Sequence, residues 1–169
     1  WDTVKYHNLL AGNPDVLVSN ASPAVVYKST NQGVTYSPVV SNIASLIGKS
    51  EVLGAVAVGS DIVAISVDRA AKIGTDVGIR IIRSSDKGKT WVASDTGFLH
   101  SSGWPQRNSF SRMASTGNAI YFSVLDYVTK EAFLYQSIDA GRSWSVALKT
   151  EHWRTGSLWS SGGQCYRND

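Results

Sequence analysis

A chain of 169 residues is long enough for one domain with a core of its own, and its 43% hydrophobic residues can fill that core. Charged residues are only 17% of the sequence, against about 25% in an average soluble protein, and 16 basic against 13 acidic residues leave a scattered net charge of +3. That scatter excludes the basic stripe of a nucleic-acid binder. No apolar run reaches the roughly 18 residues of a membrane helix, because the best candidate, "VLGAVAVGSDIVAISV", is broken by Ser60 and Asp61.

Ser, Thr, Gly and Asn take the place of the missing charges, a composition that suits a secreted or particle-surface protein. The single cysteine, Cys165, cannot form a disulfide within this sequence. The sequence opens on Trp1 with no Met and no signal-like segment. The expectation is therefore that processing, or cutting of a larger protein, removed what came first.

In chain order, "LLAGNPDVLVS" (9–19) reads as strand, glycine turn and strand. "AVVYK" (24–28) is a third β-branched and aromatic run, and it ends in "STNQGVTY" (29–36). The pattern then restarts. "VAVGSDIVAISVD" (56–68) is again strand, turn and strand, and "IRIIR" (79–83) leads into "SSDKGKTW" (84–91). A third pass gives "MASTGNAIYFSVLD" (113–126), then "AFLYQ" (132–136) and "SIDAGRSW" (137–144). No segment shows sustained 3.6-residue periodicity with caps, so no helix is expected. "WSSGGQCY" (159–166) lines up with "ASTGNAIY" (114–121), as if a fourth pass begins.

The three eight-residue segments start at Ser29, Ser84 and Ser137, so successive starts are 55 and 53 residues apart. Two of them share Ser-x-Asp-x-Gly-x-(Ser/Thr)-Trp; the first has Asn31 for Asp and Tyr36 for Trp. "GKT" at Gly88–Thr90 imitates a phosphate loop, but the glycine that such a loop needs five places earlier is Arg83 here. "IGKS" at 47–50 fails in the same way, with Ile43 in that place. A turn explains the residue types better. The Asp or Asn side chain accepts backbone N–H groups just ahead of it, and glycine takes a positive φ without a Cβ clash. The hydroxyls tie the two arms together, and the aromatic ring is an apolar plug. These positions are accordingly assigned to structure: Ser29, Asn31, Gly33 and Tyr36; Ser84, Asp86, Gly88 and Trp91; Ser137, Asp139, Gly141 and Trp144.

The pattern resembles the Asp-box, or BNR repeat, of sialidase-like β-propellers. The resemblance implies that each segment is the turn between the third and fourth strands of a blade, away from the active site. A period near 53 residues with four short strands suits one blade. The expected fold is all-β: about three four-stranded blades of an Asp-box β-propeller, in repeats near 4–45, 51–100 and 110–150, with a further blade starting at 156–169. Three blades are half of a six-bladed ring, so the chain is expected to be a segment of a larger ring of six or more blades. Its partners are then the remaining blades, supplied by another chain, a missing segment or a second copy.

Function is expected on the opposite face, in the loops 68–78, 95–108, 126–131 and 149–157. They carry Arg69, Trp104, Arg107, Tyr127, Trp153 and Arg154. Trp stacks on sugar rings and Arg binds carboxylates through a planar fork, a set that suits an acidic glycan. The plain alternatives are that the Trp residues plug gaps between blades and that the Arg residues are solvated.

Recognition of a glycan or a protein partner is therefore expected of this propeller. The alternatives are a segment of a glycoside hydrolase, either sialidase-like or polysaccharide-cleaving, and a structural docking module. Tyr127 with Glu131 or Glu151 could be nucleophile and base, but the spacing does not select them. The Arg-Ile-Pro signature of sialidases is absent, and catalytic residues stay unassigned. His7, His100 and His152 are scattered, which argues against a zinc site, and no G-x-S-x-G elbow appears. No cofactor is expected. "NAS" at 20–22 is a formal glycosylation acceptor followed by Pro23.

Overall fold

The computed structural model describes residues 15–19, 23–67, 79–98, 108–110, 113–126, 131–150, 158–161 and 164–167. Within them the chain is nearly all β, arranged as successive antiparallel meanders in the manner of propeller blades. The first sheet is β1 (Val16–Val18), β2 (Val26–Lys28) and β3 (Ser37–Val39), in that order. Residues 9–14, where the sequence suggests a further strand of this sheet, lie outside the described residues. The second sheet is β4 (Glu51–Val58), β5 (Asp61–Val67), β6 (Ile79–Ser84) and β7 (Val92–Ala93), each strand paired with the next.

The third sheet has five strands because its first strand is broken in two. Both β8 (Asn108–Phe110) and β9 (Ala114–Thr116) pair with β10 (Ala119–Asp126). They cover opposite halves of β10, the length that β4 alone covers along β5. The sheet continues through β11 (Glu131–Ser137) to β12 (Ser145–Thr150). A final hairpin, β13 (Leu158–Ser161) and β14 (Gln164–Arg167), pairs Trp159 with Tyr166 as β9 and β10 pair Ala114 with Tyr121.

The hairpins that open the second and third sheets turn on Gly59 and Gly117, with φ of 58° and 56°. Each is the first central residue of a two-residue turn, where a positive φ matches the right-handed twist of the strands.

The strand β5 is buried at every residue. Its alternation divides the core. Val63, Ile65 and Val67 pack with Ile120, Phe122, Val124, Tyr135 and Trp144 of the third sheet and its turn. Ile62 and Ala64 point the other way, toward Val16, Val18, Val26 and Trp91. A strand covered on both faces reads as a continuous apolar run rather than an alternating one, and "IVAI" at 62–65 is such a run. In the seam between the second and third sheets, Phe98, Phe122, Tyr135 and Trp144 form an aromatic cluster. Its ring centroids are 4.7 Å apart for Phe98–Tyr135, 5.4 Å for Phe122–Tyr135 and 5.2 Å for Phe122–Trp144. Burial there pushes the Tyr135 phenol up to about 12.

One expectation is overturned. The connection between the first two sheets contains a five-residue helix, α1 (Ile43–Ile47). Isolated helices of this length do not form in water, and so short a segment shows no periodicity. Packing holds it instead. Ile43 and Ile47 are one turn apart and both are buried in the seam. Gly48, at φ 61°, donates its N–H to the Ala44 carbonyl and ends the helix.

Candidate functional site

The three Ser-x-(Asp/Asn)-x-Gly turns share one hydrogen-bond plan. In the second sheet Ser84 Oγ donates to Asp86 Oδ1 (2.9 Å) and accepts the Gly88 N–H (2.8 Å). Asp86 Oδ1 also accepts the Thr90 N–H (2.8 Å), and Thr90 Oγ1 donates to Oδ2 (2.6 Å). In the third sheet Ser137, Asp139, Gly141 and Ser143 repeat these four bonds at 2.8, 2.8, 2.9 and 2.6 Å. In the first, Asn31 Oδ1 accepts from Ser29 Oγ and from the Thr35 N–H, both at 2.9 Å. Its amide nitrogen then donates to Thr35 Oγ1 (2.9 Å), so that one bond runs in reverse.

Each turn also has two consecutive left-handed residues. Gln32, Lys87 and Ala140 (φ 57°, 59° and 57°) precede Gly33, Gly88 and Gly141 (φ 87°, 85° and 81°). A non-glycine residue in this region is uncommon. Its recurrence at one position in three turns shows that the bond network imposes the backbone path.

The network sets the charge state of both carboxylates. The Thr90 hydroxyl and amide, joined by Ser84 and the Lys89 amide, outweigh burial and lower Asp86 from 3.8 to about 2. At Asp139 burial is the largest influence and acts upward. The Ser143 hydroxyl and amide, with Ser137 and the Arg142 amide, overcome it and hold the group at about 2. An acid of this strength is ionised at neutral pH and has no proton to give. The amides of Gly88 and Thr90 are already bonded within the turn, so they do not converge on an anion, although the sequence reads "GKT".

The turns lock neighbouring sheets together. A Cβ on Gly88 would lie 2.7 Å from Val26 Cγ1 of the first sheet, and one on Gly141 would lie 2.7 Å from Val63 Cγ2 of the second. Ser41 Oγ donates to the Gly88 carbonyl (2.8 Å) across 47 residues, and Ser94 Oγ donates to the Gly141 carbonyl across the same 47. Asn42 Oδ1 accepts the Trp91 N–H (2.7 Å) while its Nδ2 donates to the Trp91 carbonyl (3.0 Å). At the next seam the Thr96 carbonyl accepts the Trp144 N–H (2.9 Å), and the Ser94 carbonyl accepts the indole N–H (2.8 Å). Asp61 adds an ion pair to Arg83 (3.1 Å) and a longer one to Arg142 of the next turn (3.6 Å).

The other end of the sheets is defined by strand register. Val67 pairs with Ile79, Asp126 with both Glu131 and Asn108, and Ala132 with Thr150. The strand ends that border 68–78 and 127–130 therefore lie at the end opposite the turns. So do the strand that 99–107 leads into and the strand from which 151–157 departs. All six candidate ligand residues, Arg69, Trp104, Arg107, Tyr127, Trp153 and Arg154, lie outside the described residues, as does Glu151. Glu131 is described and is engaged: Lys149 Nζ is 2.8 Å from its Oε1 and also stands 5.5 Å from the Phe133 ring centroid. Among the described residues, Thr150 Oγ1, at this end, is buried with no hydrogen-bond partner.

Sequence reasoning missed the seam residues Ser41, Asn42, Ser94 and Asp61. The equal 47-residue separation of each serine from the next turn glycine was the available signal. Among the described residues no three His, Cys, Asp or Glu side chains gather closely enough to hold a metal ion. No helix among them is long and apolar enough to cross a membrane.

No protein-family model matches the chain, and no curated protein sequence matches it. Solved structures do. A protein of unknown function from Dyadobacter fermentans is 16% identical over 89% of this chain and 43% of its own, with a TM-score of 0.47. The phage phi92 endosialidase is 10% identical over 95% of this chain and 29% of its own, with a TM-score of 0.49. Hadza microbial sialidase Hz136 is 15% identical over 80% and 33%, with a TM-score of 0.42. The chain thus spans less than half the length of each. Likeness of this degree says nothing of substrate.

Proposed function

We propose that the chain is an arc of an Asp-box β-propeller that recognises a glycan or a protein partner through the loops at the end opposite its turns. The observation that carries this is the strand register, which brings both borders of 68–78 and 127–130 and one border each of 99–107 and 151–157 to that one end, while the turn residues are bonded among themselves at the other. Binding residues belong on loops held by a rigid scaffold. Arg69, Trp104, Arg107, Tyr127, Trp153 and Arg154 are the ligand residues of this proposal, with the Trp faces for sugar rings and the Arg forks for carboxylates. The remaining blades of the ring are its direct partners, and a secreted or particle-surface setting suits both the composition and the ligand.

A glycan array tests the reading. Binding of acidic glycans, abolished by Trp153→Ala with an unchanged melting temperature, is the expected result. Cleavage of a fluorogenic sialoside or glucan that is lost in Tyr127→Phe would replace recognition by hydrolysis. Silence toward glycans together with tight binding to one protein would select the docking module.

A further inference from the structure

We draw no further inference here: the strongest candidate, the exposed outer strand β12 of the third sheet with Val146 and Leu148, carries nothing because a bulge at Ala147 interrupts its register and nothing in the structure shows what covers it.

Discussion

Gly141→Ala tests whether the turn glycines are chosen for backbone conformation or for the neighbouring sheet. Gly117 is the internal control. Both glycines have positive φ, 81° and 56°, but a Cβ at Gly117 would meet nothing within 4 Å, whereas one at Gly141 would lie 2.7 and 3.1 Å from the two methyls of Val63. Placing Ala in the left-handed region costs about 1–2 kcal/mol, partly offset by roughly 0.4–1 kcal/mol from a stiffer unfolded chain. Gly117→Ala should therefore lose about 1 kcal/mol. Gly141→Ala adds the strain of overpacking, about 1–3 kcal/mol, for a total of about 2–4 kcal/mol. Equilibrium urea unfolding, followed by the fluorescence of buried Trp91 and Trp144, measures both. Adding Val63→Ala removes the obstructing methyls, so the double variant should cost at least about 1 kcal/mol less than the two single losses together. Equal losses at Gly117 and Gly141, or strict additivity with Val63→Ala, would refute a steric role for the seam.

The turn carboxylates give a second test. Asn31 fills the Asp position in the first turn, so Asp86→Asn should cost under about 1 kcal/mol. Asp86→Ala, which leaves the buried Ser84 hydroxyl without its acceptor, should cost about 1–3 kcal/mol, read from urea midpoints. Because Asp86 and Asp139 are lowered from 3.8 to about 2, their stabilisation is present above about pH 4 and is lost as pH falls from about 4 to 2. After discounting for solvent screening this is about 1 kcal/mol each. Thermal melts between about pH 2 and 6 should show the loss, and the Asp86→Asn/Asp139→Asn variant should flatten it. Thr150→Val replaces a buried hydroxyl that has no partner among the described residues with a methyl of similar shape, and should raise stability by about 1 kcal/mol. Unchanged or lower stability in calorimetry would mean that the hydroxyl is bonded in solution.

The legible part of the fold was its punctuation. Asp86, Gly88 and Trp91 recur at fixed offsets because one bond network needs one acceptor, one left-handed glycine and one ring, and so the period could be read directly. The strand β5 was legible for the opposite reason: a run buried on both faces leaves no alternation to misread. The helix α1 was not legible, since two isoleucines four apart carry no pattern until the seam supplies their neighbours. Lys87 and Ala140 hid the left-handed pair because neither residue type announces a positive φ. The seam bonds of Ser41 and Asn42 join residues 47 and 49 apart, and distance along a sequence conceals such pairs unless the repeats are aligned first. The loop candidates rest on their chemistry and on the strand ends that border them.

The serine-to-glycine bond between sheets has a direction. The second sheet donates from Ser94, just past its fourth strand, and accepts at the Gly88 carbonyl of its turn, so its two sides are complementary rather than alike. Contacts of that head-to-tail kind close into rings when the rotation per unit divides the circle and otherwise run on as open spirals. The number of blades is thus a question of angle and not of chemistry. A gene that copies one whole repeat adds one donor and one acceptor together and leaves the balance of bonds unchanged.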